Sequence, residues 1–235
     1  MTHPVLQQWK NQLIVSCQAL EDEPLHSSFI MGRMALAAKA GGAAGIRANS
    51  ASDINEIKKQ TNLPVIGIRK KVYPDSDVFI TPTLEEIVEI AESGAEMIAV
   101  DATNRKRPKD EKIETQIAFI REKYSSIALM ADVSSLEEAI DAEKLGFDCV
   151  STTLIGYTKE TEGQSLADND FELLRAITDA VSIPVVAEGK ISTPELAGDA
   201  LENGAHCVVV GSAITRPQLI TKTFYDQIVK TEAGS

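Results

Sequence analysis

No run in this sequence is long and apolar enough to cross a bilayer. No charged start leads into an apolar core either, so neither a membrane span nor a secretory leader is predicted. Positive charge is scarce: 23 Lys and Arg stand against 35 Asp and Glu, a net charge of −12. A nucleic-acid binder needs a basic face, so nucleic acid is excluded as the main partner. A small anion held by a few cations in a cleft is not excluded. Cysteine is sparse too. Cys17, Cys149 and Cys207 each lie in or at the end of an apolar run, as buried free thiols of a reducing compartment do. A cytoplasmic location is therefore expected. The three histidines, His3, His26 and His206, do not cluster, and none stands at a strand end, so no metal is expected. Ser-His-Asp order and a Walker A pattern are both missing. Gly and Pro, 14 and 9 residues, are too few for disorder or a fibrous repeat.

What is present is an internal repeat. Gly41–Arg47, Gly94–Asp101, Gly146–Thr152 and Gly204–Gly211 each read as a helix end, a glycine, small or polar residues, then a buried strand. Gly42, Gly94, Gly146 and Gly204 stand about fifty residues apart, and each suits a helix C′ position that needs a left-handed backbone. Strands of a second style alternate with these: Leu13–Cys17, Leu63–Ile68, Ile127–Asp132 and Ile183–Glu188. Continuous apolar runs without alternation indicate parallel strands buried on both faces. The segments between them read as amphipathic helices, with Thr83–Ala91 and Ser134–Leu145 the plainest. Eight such units predict a single α/β domain over residues 1–235, a (β/α)8 TIM barrel of the phosphate-binding type. Residues 1–12, with Trp9, are expected as a short helix capping the lower mouth. A doubly wound open sheet competes, but Ser16-Cys17-Gln18-Ala19-Leu20 lacks its glycine-rich loop. Two long connections, Val72–Thr81 and Leu154–Asp170, are either lids or tolerated insertions.

In such a barrel the chemistry sits where strands end. The residues there form a polar ring rich in cations: Gln18, Arg47, Lys70, Asp101, Asp132, Thr152, Thr153, Glu188, Lys190 and Ser212. Gly189 and Gly211, each before a helix start, let backbone N–H groups approach an anion, which predicts a phosphate site. Arg216 either reaches that phosphate or caps the last helix. Lys190 is the obvious cation, although the backbone amides can do most of that work. Lys70 follows an apolar run and meets Arg47, and both effects favour a neutral amine usable as a base or as an imine-forming nucleophile. Glu188 faces it across the mouth, a pairing suited to moving a proton beside a carbonyl.

Asn11–Leu20 with Pro24-Leu25-His26, Ile46-Arg47-Ala48, Pro64–Ile68 with Lys70, Asp101-Ala102-Thr103 with Arg105, Arg107 and Pro108, and Met130-Ala131-Asp132 make a distinctive set. So do Leu145–Asp148, Ser151–Leu154 with Gly156-Tyr157-Thr158, Glu188–Ile191 and Val210–Pro217. Together they closely resemble the bacterial N-acetylmannosamine-6-phosphate 2-epimerase family across nearly the whole chain. Lys159–Asp168 matches least well. The resemblance implies interconversion of N-acetylmannosamine 6-phosphate and N-acetylglucosamine 6-phosphate in sialic acid and amino-sugar breakdown, by a homodimer without a cofactor. It implies catalytic roles for Lys70 and Glu188. It further implies substrate contacts at Gln18, Arg47, Asp132 and Arg216, with phosphate held near Gly189 and Gly211. A class I aldolase or lyase and a non-catalytic sugar-phosphate sensor are the rival readings.

Overall fold

The computed structural model describes residues 2–233; Met1, Gly234 and Ser235 of the expected domain lie outside the described residues. Among the described residues, eight parallel strands close into one barrel: β1 Leu13–Cys17, β2 Gly45–Asn49, β3 Val65–Ile68, β4 Met97–Asp101, β5 Ala128–Asp132, β6 Cys149–Ser151, β7 Val185–Ala187 and β8 Cys207–Val210. Closure is explicit at Val15 of β1, which is in register with Ile46 of β2 on one side and Val210 of β8 on the other. The barrel predicted from the repeat is the fold observed. β3 and β7 begin two residues later than the apolar runs that announced them, because Pro64 and Pro184 supply no N–H to a ladder.

The helices are α1 Pro4–Trp9, α2 Ser28–Ala40, α3 Ala51–Thr61, α4 Leu84–Glu92, α5 Ile113–Lys123, α6 Leu136–Leu145, α7 Glu172–Ala180, α8 Pro194–Glu202, α9 Ser212–Thr215 and α10 Pro217–Ala233. Local chemistry starts and stops them. Thr83 and Glu86 form a reciprocal capping box on α4, and Ser135 accepts from the Glu138 N–H on α6. Each such cap is worth about 1 kcal/mol. The repeat glycines do take the left-handed backbone their position requires, from φ +80° at Gly94 to +103° at Gly42. No helix among the described residues is long and apolar enough to cross a membrane.

Strand parity sorts every side chain between two cores. Ile46, Val65, Ile98, Val100, Leu129, Ala131, Val150, Val185 and Val208 face outward and pack under the helices. Gly67 is also outward; a Cβ there would stand 2.5 Å from Ile90. Ile14, Ile66, Ile68, Met97, Ala99, Met130, Cys149, Val186, Cys207 and Val209 face inward and fill the barrel. Val5, Leu6 and Trp9 of α1 join this inner cluster from below. Trp9 is fully buried, and a Cβ on Gly45 would stand 2.6 Å from its ring nitrogen. The lower end is therefore plugged. Continuing the inward parity upward along each strand brings Gln18, Arg47, Lys70, Asp132, Thr153, Glu188 and Gly211 to the open end. All three cysteines are buried and unpaired.

The two long connections both reach the open end. Lys70 bridges to Ile80, folding residues 72–79 back as an arm, and Phe79, Ile80, Leu154 and Tyr157 wall the mouth. Lys159 Nζ lies 3.4 Å from Asp77 Oδ2, joining one arm to the other.

Candidate active site

A cavity of about 740 Å3 opens at the C-terminal end of the barrel, within the size range of small-molecule sites. Gln18, Arg47, Lys70, Glu188, Gly189, Lys190, Gly211, Ser212 and Arg216 all line it. Asp132 and Thr152 do not. Asp132 lies behind Arg47. Thr152 has outward parity, and its hydroxyl accepts from the Glu188 N–H at 3.0 Å and donates to the Glu188 carbonyl at 2.8 Å. It holds the backbone of β7 rather than facing the cavity.

The floor is a buried charge cluster. Arg47, 1% exposed, donates from Nη1 and Nη2 to the two oxygens of Asp132 at 3.0 and 2.5 Å. A further bond runs from Nη1 to Glu188 Oε2 at 2.9 Å. Burial alone would depress the guanidinium, but Asp132 and then Glu188 outweigh it and hold Arg47 firmly protonated. One cation thus serves two carboxylates, leaving one negative charge over. Burial raises the affinity of Glu188 for a proton; Arg47 opposes this and Asp132 reinforces it, with a net rise. Arg47 Nε is buried without a partner among the described residues.

Lys70 stands above this floor at the end of β3, half-buried, its backbone N–H donating to Asn49 Oδ1 at 2.8 Å. Loss of hydration in the cavity, then the positive charges of Arg47 and Arg216, push its ammonium from 10.5 down to about 8, against the pull of Glu188 and Glu23. A neutral amine is then available near neutral pH. Lys71, of opposite parity, bonds Glu86 at 2.7 Å on the outer side. Strand alternation separates a poised lysine from a paired one at adjacent positions.

The opposite rim suits an anion. Gly189 takes φ +104°, and the Ser212 and Ala213 amides open α9 with no carbonyl behind them. Arg216 leans over this rim, held by Glu23 at 3.1 Å, and Gln218 bonds the other oxygen of the same carboxylate. Lys190, by contrast, donates to the Gln164 carbonyl at 2.6 Å and lies 5.4 Å from the Tyr157 ring centroid. Its ammonium fastens the β6 loop. Gln18 lines the cavity and donates to Ser16 Oγ at 2.7 Å, while its Oε1 is buried without a partner among the described residues.

Two contributors, Ser16 and Phe79, were not named as site residues from sequence, and a third, Thr153, was named only as one member of the polar ring. Ser16 lines the cavity beneath Gly211, whose Cβ would stand 3.3 Å from that of Ser16. Phe79 enters only because its arm folds back. Thr153 contacts both floor carboxylates, at 2.7 Å from Asp132 and 3.2 Å from Glu188. Period-two parity from Ser151 would have preferred Thr153 to Thr152.

The arrangement offers a neutral amine, an acid of raised proton affinity and an anion rim around one cavity. Its relatives match. A sequence model of the family described as "Putative N-acetylmannosamine-6-phosphate epimerase" covers residues 31–230. A protein of Shouchella clausii named "Putative N-acetylmannosamine-6-phosphate 2-epimerase" is 64% identical over 226 residues, 96% of this chain and 99% of that one. One of the same name from Oceanobacillus iheyensis is 59% identical over 220 residues, 94% of this chain and 99% of that one. The solved N-acetylmannosamine-6-phosphate 2-epimerase of Clostridium perfringens superposes with a TM-score of 0.91 at 57% identity, covering 95% of this chain and 96% of that one. The thiamine phosphate pyrophosphorylase of Pyrococcus furiosus, at 23% identity and a TM-score of 0.58, shares the fold alone. The chain belongs to the N-acetylmannosamine-6-phosphate 2-epimerase family.

Proposed function

We infer that this protein is an isomerase that interconverts N-acetylmannosamine 6-phosphate and N-acetylglucosamine 6-phosphate. The observation that carries the reading is the placement of Lys70 and Glu188 around the same cavity as the anion rim at Gly189, Gly211 and Arg216. The phosphate would occupy that rim, fixing the sugar so that C2 meets Lys70. A C2 proton is acidic only when C1 is a carbonyl, so the ring must open first. Glu188 moves the oxygen-bound proton that ring opening requires, which suits a carboxyl group of raised proton affinity. Lys70, as the neutral amine, takes the C2 proton and returns it to the other face. Its long flexible stem can serve both faces. A positioned base of this kind contributes roughly 10²- to 10⁴-fold. Gln18 meets the sugar from the cavity wall. The reaction is redox-neutral, so it needs no redox cofactor.

The same reading places the protein in sialic acid and amino-sugar breakdown in the cytoplasm, with residues 1–235 acting as one barrel domain. It also makes the protein a homodimer. Phe224, Tyr225 and Ile228 leave α10 with large apolar side chains at least 60% exposed, surface that a second copy would bury. The test of the reaction is direct. Protein incubated with N-acetylmannosamine 6-phosphate should yield N-acetylglucosamine 6-phosphate as its product and form no borohydride-trapped adduct. An adduct on Lys70 with cleavage of a carbon–carbon bond would instead establish the aldolase reading. Binding without turnover would establish the sensor reading.

A further inference from the structure

Thr153 stands between the two carboxylates of the floor. Its Oγ1 lies 2.7 Å from Asp132 Oδ1, 3.2 Å from Glu188 Oε2 and 2.8 Å from Ser151 Oγ. From the other side the same two carboxylate oxygens share Arg47 Nη1, at 3.0 and 2.9 Å. They are bracketed by one guanidinium nitrogen and one hydroxyl. Nη1 has two protons and serves both oxygens at once. A hydroxyl has one proton and can donate to only one of them at a time. Glu188 Oε1 has no protein partner among the described residues, and Glu188 lines the cavity.

We propose that Thr153 is a positioning residue whose hydroxyl turns its proton from Asp132 to Glu188 as Glu188 gives up the proton it exchanges with the sugar oxygen. This rests on the reading of Glu188 as the acid–base group for ring opening. While Glu188 is protonated, Thr153 donates along its shorter contact to Asp132 and can accept from Ser151. Once Glu188 is anionic, Thr153 turns to Oε2, and Asp132 keeps both of its Arg47 bonds. The proton never leaves Oγ1; only its direction changes. Two consequences follow. Oε2 stays anchored, so Oε1 remains aimed at the cavity. The hydrogen bond also passes from Asp132, which keeps two bonds to Arg47, to the oxygen on which new charge appears, and this favours release of the proton. Ser151 Oγ also reaches Glu188 Oε2, but only at 3.4 Å and with no side-chain bond to Asp132 from which to turn. The remaining groups facing Glu188 cannot do this. Arg47 from β2 is already bonded to it, Lys70 beyond β3 is committed to C2, Asp132 from β5 repels it, and the Cys207 thiol from β8 is itself held protonated by burial.

The test compares Thr153→Val, which keeps the branched shape and removes the donor, with Thr153→Ser, which keeps the donor. Thr153→Val should lower kcat about tenfold or more with little change in KM. It should also raise the pH limb governed by Glu188 by about one unit, because the charged form loses a hydrogen bond. The rise governed by Lys70 should stay in place. Thr153→Ser should restore both kcat and profile. If Thr153→Val does not fold, Thr153→Ala is read by the same criteria. A profile that superposes on the wild type overturns the proposal, as does a Thr153→Ser variant as impaired as Thr153→Val. Wild-type protein run alongside separates the two claims. C2 exchange in the wild type with an unmoved variant profile overturns the role of Thr153 alone; no C2 exchange in the wild type overturns both.

Discussion

Replacing Arg47 with Met should destabilise the protein in a way that depends on pH. Arg47 is 1% exposed and makes three charge-assisted bonds to Asp132 and Glu188. Methionine fills much of the same volume, so the loss is chiefly electrostatic. Two buried carboxylates are then left without a counter-charge, and removing one partner from such a cluster costs about 3–5 kcal/mol. For a chain of this size that corresponds to a fall in Tm of about 6–20 °C. The sign with pH follows from linkage. In the variant Glu188, whose proton affinity burial already raises, loses the opposing charge of Arg47 and binds a proton still more tightly folded than unfolded, so the loss is largest at pH 8 and shrinks as pH falls toward 5. Urea denaturation at both pH values, followed by circular dichroism, measures the difference. Adding Asp132→Asn and Glu188→Gln to Arg47→Met should recover most of the stability, because neutral amides carry no unpaired charge. A loss under about 1 kcal/mol, or one equal at the two pH values, would refute the reasoning that Arg47 neutralises this floor.

Wild-type kcat/KM should rise with pH and reach half its plateau near 8, since the neutral Lys70 amine is the reacting form and its ammonium is depressed to about 8; an initial-rate profile checks this in either direction. Lys70→Ala should abolish turnover while leaving affinity for the phosphorylated sugar nearly intact by calorimetry. Gly189→Ala places a Cβ at φ +104° and 3.3 Å from the Thr152 carbonyl. It should cost about 1–3 kcal/mol and raise KM more than it lowers kcat. Trp9→Ala, at the plugged lower end, should cost about 3–5 kcal/mol yet leave kcat per folded molecule unchanged, which active-site titration of the variant would show.

The barrel was legible because its repeat is written twice over. Glycines at about fifty-residue intervals mark helix ends, and uninterrupted apolar runs mark strands buried on both faces. The catalytic end could then be read by position alone, and Arg47, Lys70 and Glu188 do meet around one cavity. What stayed hidden depends on partners distant in sequence. The bond from Lys190 to the Gln164 carbonyl crosses a loop whose path no periodicity encodes. Thr152 and Thr153 are adjacent and chemically alike, and only the parity set by Ser151 tells a backbone clamp from a group between two carboxylates. Phe79 was invisible because residues 72–79 contribute to the mouth only after folding back at Ile80.

The central claim is that C2 of the sugar loses and regains its proton at Lys70. Proton NMR of N-acetylmannosamine 6-phosphate in D2O with the protein measures this directly. The account predicts that the C2 proton signal fades as deuterium enters, while anomeric signals of N-acetylglucosamine 6-phosphate grow in, and that Lys70→Ala does neither. A C2 signal that persists unchanged, with no new anomeric signals, would contradict it.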